Sequence, residues 1–323
     1  MKKIAIITGI YGQDGSLLAE QLLAQGHRIV GLVHKVRPEF LGIENAEIIE
    51  ADIADLATMR SVFKKIQPDE CYHLAAAHHS SEQTTAADFR MQMLRVNFLA
   101  TQVLIDTILD SLPQCRFLYA GSSQMYTPSE GVVVVDECSP YSPSSYYGIT
   151  KVAGAHLVGL MRRERKLWGL TAILFNHEST RRRPEFLSRK VTMAAAQSRI
   201  NQDRNGLGAQ TKLELRDISA RVDWSAAIDV VRAMQMSLQT EQPQDYVLAS
   251  GQIHSVRELL DEAFRAVNLN WAEHVVAHES GVGHCLQGNS QRARDVLGWR
   301  PRYSFPTLIQ EMVKHDLHTI GGN

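Results

Sequence analysis

Residues 4–16 read IAIITGIYGQDGS and decide the fold of this 323-residue chain. The short apolar run Ile4–Thr8 ends at a glycine, which is typical of a buried parallel β-strand. The glycines that follow have the spacing G-x-x-G-x-x-G and lead into an amphipathic, leucine-rich segment. Strand, glycine turn and helix in this order predict a dinucleotide-binding turn. Gly9 permits the tight turn, Gly12 lets the backbone approach a pyrophosphate, and Gly15 lets the helix pack closely on the strand.

Helical and strand-like segments alternate beyond this turn. Further strands are expected at residues 28–33, 46–50, 70–74, 116–120, 170–175 and 246–249, and helices at 16–25, 56–65, 86–109 and 145–165. This alternation predicts an α/β fold with a doubly wound parallel sheet (Rossmann). After residue 175 the pattern is less regular and more polar. We therefore expect residues 1–175 to form a Rossmann domain, to which 215–250 return, and 176–214 with 251–323 to form a smaller mixed α/β substrate lobe.

The composition excludes several classes of protein. The formal net charge is −1 and no long basic run occurs, so the electrostatics of a nucleic-acid binder are missing. No stretch approaches the ~20 apolar residues that span a bilayer, so we expect no membrane partner. The four cysteines are scattered, which indicates reduced thiols and a cytoplasmic location. The basic cluster at 181–183 is short; it could hold a phosphate, but we interpret it as a solvated turn.

The end of the second expected strand bears on the choice of cofactor. An NAD enzyme usually carries Asp or Glu there, about 20 residues after the glycines, to bind the ribose hydroxyl. Here the strand ends in His34 and Lys35, with Arg37 close by. Basic side chains suit a 2′-phosphate, so the sequence favours NADP over NAD. The alternative is that these are exposed loop residues.

Other residues at the ends of strands are expected to line the same cofactor. Gln13 and Asp14 begin the first helix, whose free N–H groups and partial positive charge attract phosphates. Asp52 and Ile53 follow the third strand, where the adenine would lie. The segment 74–76 follows the fourth strand, and its members Leu74, Ala75 and Ala76 would let the backbone pass close to the cofactor.

A catalytic set is expected after the fifth strand. Tyr147 and Lys151 have Y-x-x-x-K spacing, which places them on one helix face. An ammonium beside a phenol lowers the phenol pKa and makes it available as a base. Ser122 and Ser123 come about 25 residues earlier and offer hydroxyls to the reacting sugar oxygen. Glycine turn, serine pair and Tyr/Lys helix follow the order of short-chain dehydrogenases.

Three histidines lie around the end of the fourth strand. His73 precedes His78 and His79, but no Cys or carboxylate is spaced to complete a metal site. We therefore expect histidines of a substrate pocket or loop, and no metal.

The chain resembles the extended short-chain dehydrogenases/reductases (NAD-dependent epimerase/dehydratase family), and within them GDP-mannose 4,6-dehydratases. Matching segments run nearly end to end, and the most specific are NHES at 176–179 and HSVRE at 254–258. The resemblance implies a GDP-linked, mannose-like sugar as substrate. Tyr147 would remove the O4 proton while hydride passes from C4 to NADP. A carboxylate would then take the C5 proton, water would leave from C6, and hydride would return to C6.

The same resemblance assigns further contacts in the lobe at 176–214 and 251–323, which would bind the nucleotide sugar. His177 would meet the cofactor. The expected substrate contacts are Asn176, Glu178, Lys190, Arg216 and Arg221. The family tends to carry an arginine where this chain has Val222, and Arg216 and Arg221 could replace it. The resemblance also implies a homodimer or homotetramer, formed through helices near Asn97 and Lys151.

One departure from the family bears on the reaction. The family carries Thr-Ser-Glu after the fifth strand, and this chain carries Ser122, Ser123 and Gln124. An amide does not accept a proton near neutral pH, so Gln124 cannot replace a glutamate base. Elimination would then need His78, His79 or a water as base. The alternative is a C4 dehydrogenase or 4-keto-sugar reductase without dehydration, and a further alternative is a non-catalytic NADP-binding protein.

Overall fold

The structure is a computed structural model that describes residues 2–36, 43, 45–78, 86–128, 131–205, 212–279 and 285–322. Arg37 and His79, which the sequence analysis singled out, lie outside these ranges. Within the described ranges, every helix is too short or too polar to cross a lipid bilayer.

A parallel sheet of seven strands lies at the centre of the described residues. Its members are β1 (Ile4–Thr8), β2 (Arg28–Val33), β3 (Glu47–Glu50), β4 (Glu70–His73), β5 (Arg116–Ala120), β7 (Gly169–Leu174) and β11 (Tyr246–Leu248). The strand order is β11-β7-β5-β4-β1-β2-β3, and neighbouring strands are parallel. The expected doubly wound α/β fold is therefore confirmed.

Both faces of this sheet are covered by helices, which explains the apolar runs in the sequence. Along β1, Ile6 belongs to the core cluster on one face, whereas Ala5 and Ile7 belong to the cluster on the other. A strand that is buried on both faces has no reason to alternate with polar residues. The covering helices are α1 (Gln13–Ala24), α2 (Leu56–Ile66), α3 (Ala87–Leu94), α4 (Ala100–Ser111), α5 (Tyr146–Arg165) and α7 (Ala227–Ser237).

The segment expected as one helix at 86–109 is divided. A π-helical turn, Arg95–Leu99, lies between α3 and α4. Inside this turn the buried Asn97 accepts a hydrogen bond from the N–H of Ala77 at 2.8 Å and donates to the Ala77 carbonyl at 3.1 Å. Its amide also donates to Thr150 Oγ1 on α5 at 3.1 Å. The turn thus ties the segment after β4 to the helix that carries Tyr147.

A smaller lobe lies beside the sheet. It contains β8 (Asn176–Glu178), α6 (Leu187–Asn205), β9 (Leu213–Leu215), β10 (Arg221–Ala226), β12 (Ile253–Ser255), α8 (Val256–Arg265), β13 (Val275–Ala277) and α10 (Phe305–Gly321). Strands β12, β10 and β8 form one sheet, and β13 pairs with β9. The remaining pair joins β6 (Val132–Val135) to β14 (Cys285–Gly288).

Residues 215–250, which are expected to return to the Rossmann domain, contribute strands to two sheets. Within them, β10 pairs with β8 and β12. Only α7 and β11 of that range lie on the main sheet. The helix α9 (Gln291–Leu297), expected in the lobe, contributes Ala293 to the main-sheet core, where Trp299 is also buried. Short strands such as these carry too few residues for a clear periodicity.

Candidate active site

The glycine turn has the geometry that its spacing predicts. Gly9 has φ +73°, and a Cβ there would lie 2.8 Å from the Cα and N of Ala75. A Cβ on Gly15 would lie 2.3 Å from the carbonyl oxygen of Gly9. Both positions are therefore closed to side chains. The turn packs tightly against the end of β4, as a dinucleotide-binding turn requires.

The N-terminus of α1 presents unpaired backbone donors. Gly12 is the N-cap residue, and no side chain caps the helix there. The first N–H groups of a helix and its dipole attract anions. A turn of small residues with an uncapped helix end fits the pyrophosphate of a nicotinamide dinucleotide.

Gln13 and Asp14 contact the protein itself. Gln13 donates from Nε2 to the His177 carbonyl at 3.0 Å and accepts a hydrogen bond from Ser179 Oγ at 2.7 Å. The two carboxylate oxygens of Asp14 lie 3.0 and 2.9 Å from His177 Nε2. The other ring nitrogen, Nδ1, lies 2.6 Å from the carbonyl of Phe175. These contacts join the start of α1 to β8, and they engage both ring nitrogens of His177.

Asp14 and His177 form a partly buried ion pair, with side chains 22% and 10% exposed. Burial alone would raise the pKa of Asp14, but the charge and hydrogen bond of His177 lower it below its ordinary value. Burial alone would lower the pKa of His177, but Asp14 raises it. The two shifts have the same origin, so the imidazolium and carboxylate stabilise each other.

The expected adenosine end of the cofactor site lies at the carboxyl ends of β2 and β3. His34 and Lys35 are both exposed directly after β2. Asp52 pairs with Arg95 of the π-helical turn and caps the N–H of Ala54 at 2.9 Å. Ile53 is half-buried against the core. After β4, Leu74 and Ala75 are half-buried and Ala76 is exposed.

Three catalytic candidates meet at the carboxyl end of β5. Ser145 caps α5 by accepting the N–H of Gly148 at 3.0 Å, so the helix begins at Tyr146, one residue before Tyr147. The Ser122 hydroxyl lies close enough to the Tyr147 phenol to lower its pKa. Lys151 lies one turn along the same helix, with its Nζ 5.6 Å from the centroid of the Tyr147 ring.

The charges in this set differ from the expectation in one respect. The Lys151 ammonium donates to the Ala120 carbonyl at 2.8 Å, and the Tyr147 pKa is raised above its ordinary value instead of lowered. Burial raises the pKa of Tyr147, and Ser122 and Arg182 lower it by less. Burial also lowers the pKa of Lys151 to about 7. The desolvation of both groups outweighs their mutual attraction.

Gln124 lies at the rim of the same set. It is exposed in the 3₁₀ turn Ser123–Met125, where Ser123 is half-buried. Ser145 Oγ donates to Gln124 Oε1 at 3.0 Å. The amide nitrogen of Gln124 lies 3.4 Å from His78 Nε2. The ring of His78 lies 4.2 Å from that of Tyr147, centroid to centroid.

The residues expected to contact substrate are dispersed. Asn176 is exposed on β8, and Lys190 is half-buried on α6. Arg216 and Arg221 are exposed after β9 and at the start of β10. Glu178 differs from the others, because it is 2% exposed and its contacts are internal.

Arg182 was not among the expected site residues, and it explains the contacts of Glu178. Its Nε lies 3.2 Å from Glu178 Oε2, which also accepts a hydrogen bond from Ser188 at 2.6 Å. Its guanidinium stacks on Phe186 at 3.9 Å and lowers the Tyr147 pKa. From the sequence alone, 181–183 were expected to form a solvated turn. The i,i+4 spacing of Glu178 and Arg182 was the available signal.

Fold and site together define an extended short-chain dehydrogenase/reductase. The family model described as GDP-mannose 4,6 dehydratase matches residues 6–312. The chain therefore belongs to the GDP-mannose 4,6 dehydratase family, and it is an enzyme of that type.

Known proteins resemble the chain over nearly its full length. The GDP-mannose 4,6 dehydratase 2 of Arabidopsis thaliana is 34% identical over 336 residues, covering 98% of this chain and 87% of the relative. Among solved structures, the UDP-glucose 4-epimerase of Thermotoga maritima with UDP-glucose has a TM-score of 0.83 at 19% identity, covering 98% of this chain and 99% of that one. The dTDP-glucose 4,6-dehydratase of Bacillus anthracis in complex with NAD has a TM-score of 0.82 at 16% identity, covering 97% and 96%. Both structural likenesses support the fold.

Proposed function

We propose that this chain is an NADP-dependent nucleotide-sugar 4,6-dehydratase. It would take hydride from C4 of a GDP-linked, mannose-like hexose and return it to C6 after loss of water. The observation that carries this proposal is the meeting of Ser122, Tyr147 and Lys151 beside a glycine turn suited to a dinucleotide, in a chain of this family.

The residues of the site suit oxidation at C4. Tyr147 takes the O4 proton, and Ser122 holds the hydroxyl that is being oxidised through a hydrogen bond. Because burial raises the Tyr147 pKa, forming the phenolate requires positive charge nearby. A bound oxidised nicotinamide supplies a hydride acceptor and such a charge. Lys151 is buried at 1% exposure behind the phenol, where its ammonium favours the phenolate.

NADP is proposed over NAD on the strength of the residues after β2. His34 and Lys35 are exposed at the point where the adenosine ribose of a Rossmann cofactor lies. No carboxylate of the described residues 34–36 competes with a 2′-phosphate for that position. Basic side chains there attract the extra phosphate of NADP.

The nucleotide sugar is proposed to lie between the Tyr147 set and the smaller lobe. Asn176 and Lys190 would hold the diphosphate, because an amide and an ammonium both donate to phosphate oxygens. Arg216 and Arg221 would extend the positive surface for the nucleotide. The internal contacts of Glu178 favour a role in positioning Arg182.

Gln124 favours one second candidate, a C4 dehydrogenase or 4-keto-sugar reductase. Its side chain is an amide at the rim of the site and cannot accept the C5 proton. Family membership favours the dehydratase.

The chain is also proposed to form a homodimer through α3, the π-helical turn and α5. Met91, Leu99 and Ile149 on these elements are 64%, 41% and 52% exposed. Large apolar side chains exposed on adjacent helices are typical of an interface.

The decisive experiment is mass spectrometry of GDP-mannose after incubation with the protein and NADP. Loss of one water would support the dehydratase. Loss of two hydrogens with formation of NADPH would support the second candidate. An unchanged mass would refute both for this substrate. Tyr147→Phe should abolish either change and leave NADP affinity unchanged; turnover by this variant would refute the role of Tyr147.

A further inference from the structure

Elimination across C5–C6 needs a group that accepts the C5 proton. C5 is bonded to C4, so this base must lie beside Tyr147, which handles the oxygen on C4. Ser122 and Gln124 are hydroxyl and amide side chains and do not accept protons near neutral pH. Lys151 is buried with its ammonium directed to Ala120, so it is closed to a substrate carbon.

His78 has the required position. Its ring lies 4.2 Å from the ring of Tyr147 and stacks on Phe186 with centroids 5.8 Å apart and an interplanar angle of 15°. The side chain is half-buried and lies between these two aromatic rings. Arg183 fixes its backbone by donating to the His78 carbonyl at 3.1 Å.

A chain of hydrogen bonds sets the protonation of this imidazole. The N–H of Gly148 donates to Ser145 Oγ at 3.0 Å, and Ser145 Oγ donates to Gln124 Oε1 at 3.0 Å. This arrangement directs the Gln124 amide nitrogen to His78 Nε2, 3.4 Å away. An amide nitrogen only donates, so the facing Nε2 must carry a lone pair. The proton of the neutral ring then lies on Nδ1, and Nε2 is the basic atom at the site.

We propose that His78 Nε2 is the base that removes the C5 proton. This inference rests on the proposed dehydratase function and names the residue that performs its second step. The C5–H bond breaks, its proton goes to Nε2, and its electron pair forms the C5=C6 double bond in conjugation with the C4 carbonyl. The C6–O bond breaks, and the departing hydroxyl takes the proton back from Nε2 and leaves as water. The imidazole ends neutral, as it began.

The test separates C4 oxidation from elimination. Native protein, His78→Ala and His78→Gln are mixed with GDP-mannose and NADP in single-turnover experiments. NADPH absorbance reports C4 oxidation, and mass spectrometry reports loss of water. General acid–base catalysis contributes about 10²–10⁴ in rate, so we expect the ratio of elimination to oxidation to fall at least about a hundredfold in both variants. His156→Ala, an exposed histidine on α5, is the matched control and should keep the native ratio.

A second arm restores a base by a different chemistry. In His78→Ala/Gln124→Glu, a carboxylate occupies the position that faces Nε2, and elimination should recover.

The outcomes distinguish the two proposals. An unchanged ratio in His78→Ala and His78→Gln overturns the role of His78, whether or not the total rate falls. Native protein that oxidises C4 without losing water also overturns it, and it supports the C4 dehydrogenase. Native protein that neither forms NADPH nor releases water from GDP-mannose refutes the proposed function itself.

Discussion

Replacing Lys151 with methionine separates the effect of this side chain on stability from its effect on catalysis. Lys151 is 1% exposed, and burial lowers its pKa from 10.5 to about 7. One pKa unit corresponds to about 1.4 kcal/mol, so the charged amine costs the fold on the order of 5 kcal/mol. Methionine has an unbranched chain of similar reach and carries no charge. The variant is free of this cost, although it loses the hydrogen bond to Ala120, worth about 1 kcal/mol.

The sign of the pH dependence follows from the lowered pKa. The unfolded amine holds its proton up to about pH 10, whereas the folded amine loses it near pH 7. Between these values the unfolded state binds more protons, so the free energy of unfolding of the native protein rises with pH. The charged Lys151 amine destabilises the folded protein by the full amount below about pH 7 and not at all above about pH 10. Lys151→Met removes this dependence.

Urea denaturation of native protein and variant, without added nucleotide, measures the effect. We expect Lys151→Met to be the more stable protein at about pH 6, and its advantage to fall by up to about 5 kcal/mol by about pH 10. Lys65→Met, at an exposed position of α2, should differ from the native protein by the same amount at every pH. A pH-independent difference for Lys151→Met would refute the reasoning. The same variant should lose hydride transfer, because the phenolate loses its ammonium neighbour.

Three further predictions concern the cofactor turn, its adenosine end and the helical face. Gly15→Ala places a Cβ 2.3 Å from the Gly9 carbonyl oxygen, so the turn must shift. The Kd for NADP, measured by calorimetry, should rise at least about tenfold. An unchanged Kd would show that the turn is not the binding site. Lys35→Glu should weaken NADP by about tenfold and leave NAD unchanged, and equal losses for both would refute the 2′-phosphate assignment. Met91→Glu puts a charge on the apolar face and should shift the sedimentation coefficient from dimer to monomer; a native coefficient would place the interface elsewhere.

The parts of the fold that the sequence predicts are those whose local pattern and tertiary role agree. Ile4–Thr8 is apolar throughout because both faces are covered, and the glycine turn after it admits no side chains at Gly9 and Gly15. The edges of the predicted elements differ from the structure by a few residues. The larger difference is the π-helical turn Arg95–Leu99, which helical periodicity cannot reveal. Its cause is the pairing of Asn97 with the backbone of Ala77, a contact across 20 residues of sequence.

The candidate site is predictable in its residue types and less so in its contacts. Tyr147, Lys151 and Ser122 follow from spacing, and the structure brings them together. Arg182 was hidden because it lies within the run of three arginines at 181–183, which looks like a solvated surface. Its role depends on Glu178 and Phe186, which pair with it in space. The pKa shifts were the hardest feature of the site to predict. Sequence spacing indicates which charged groups are neighbours, but burial decides whether each pKa is raised or lowered.

Hydrogen bonds at the glycine turn join the proposed cofactor site to the lobe that is proposed to bind the substrate. Asp14 at the start of α1 pairs with His177 of β8, and Gln13 accepts from Ser179 just beyond that strand. β8 pairs with β10, the strand that carries Arg221, so the chain of contacts reaches from the pyrophosphate turn to the proposed nucleotide-binding surface. The Asp14–His177 ion pair is partly buried, and removing one partner there leaves the charge of the other uncompensated. A change in the glycine turn therefore acts on the substrate lobe as well, and a loss of turnover in Asp14 variants would reflect both sites at once.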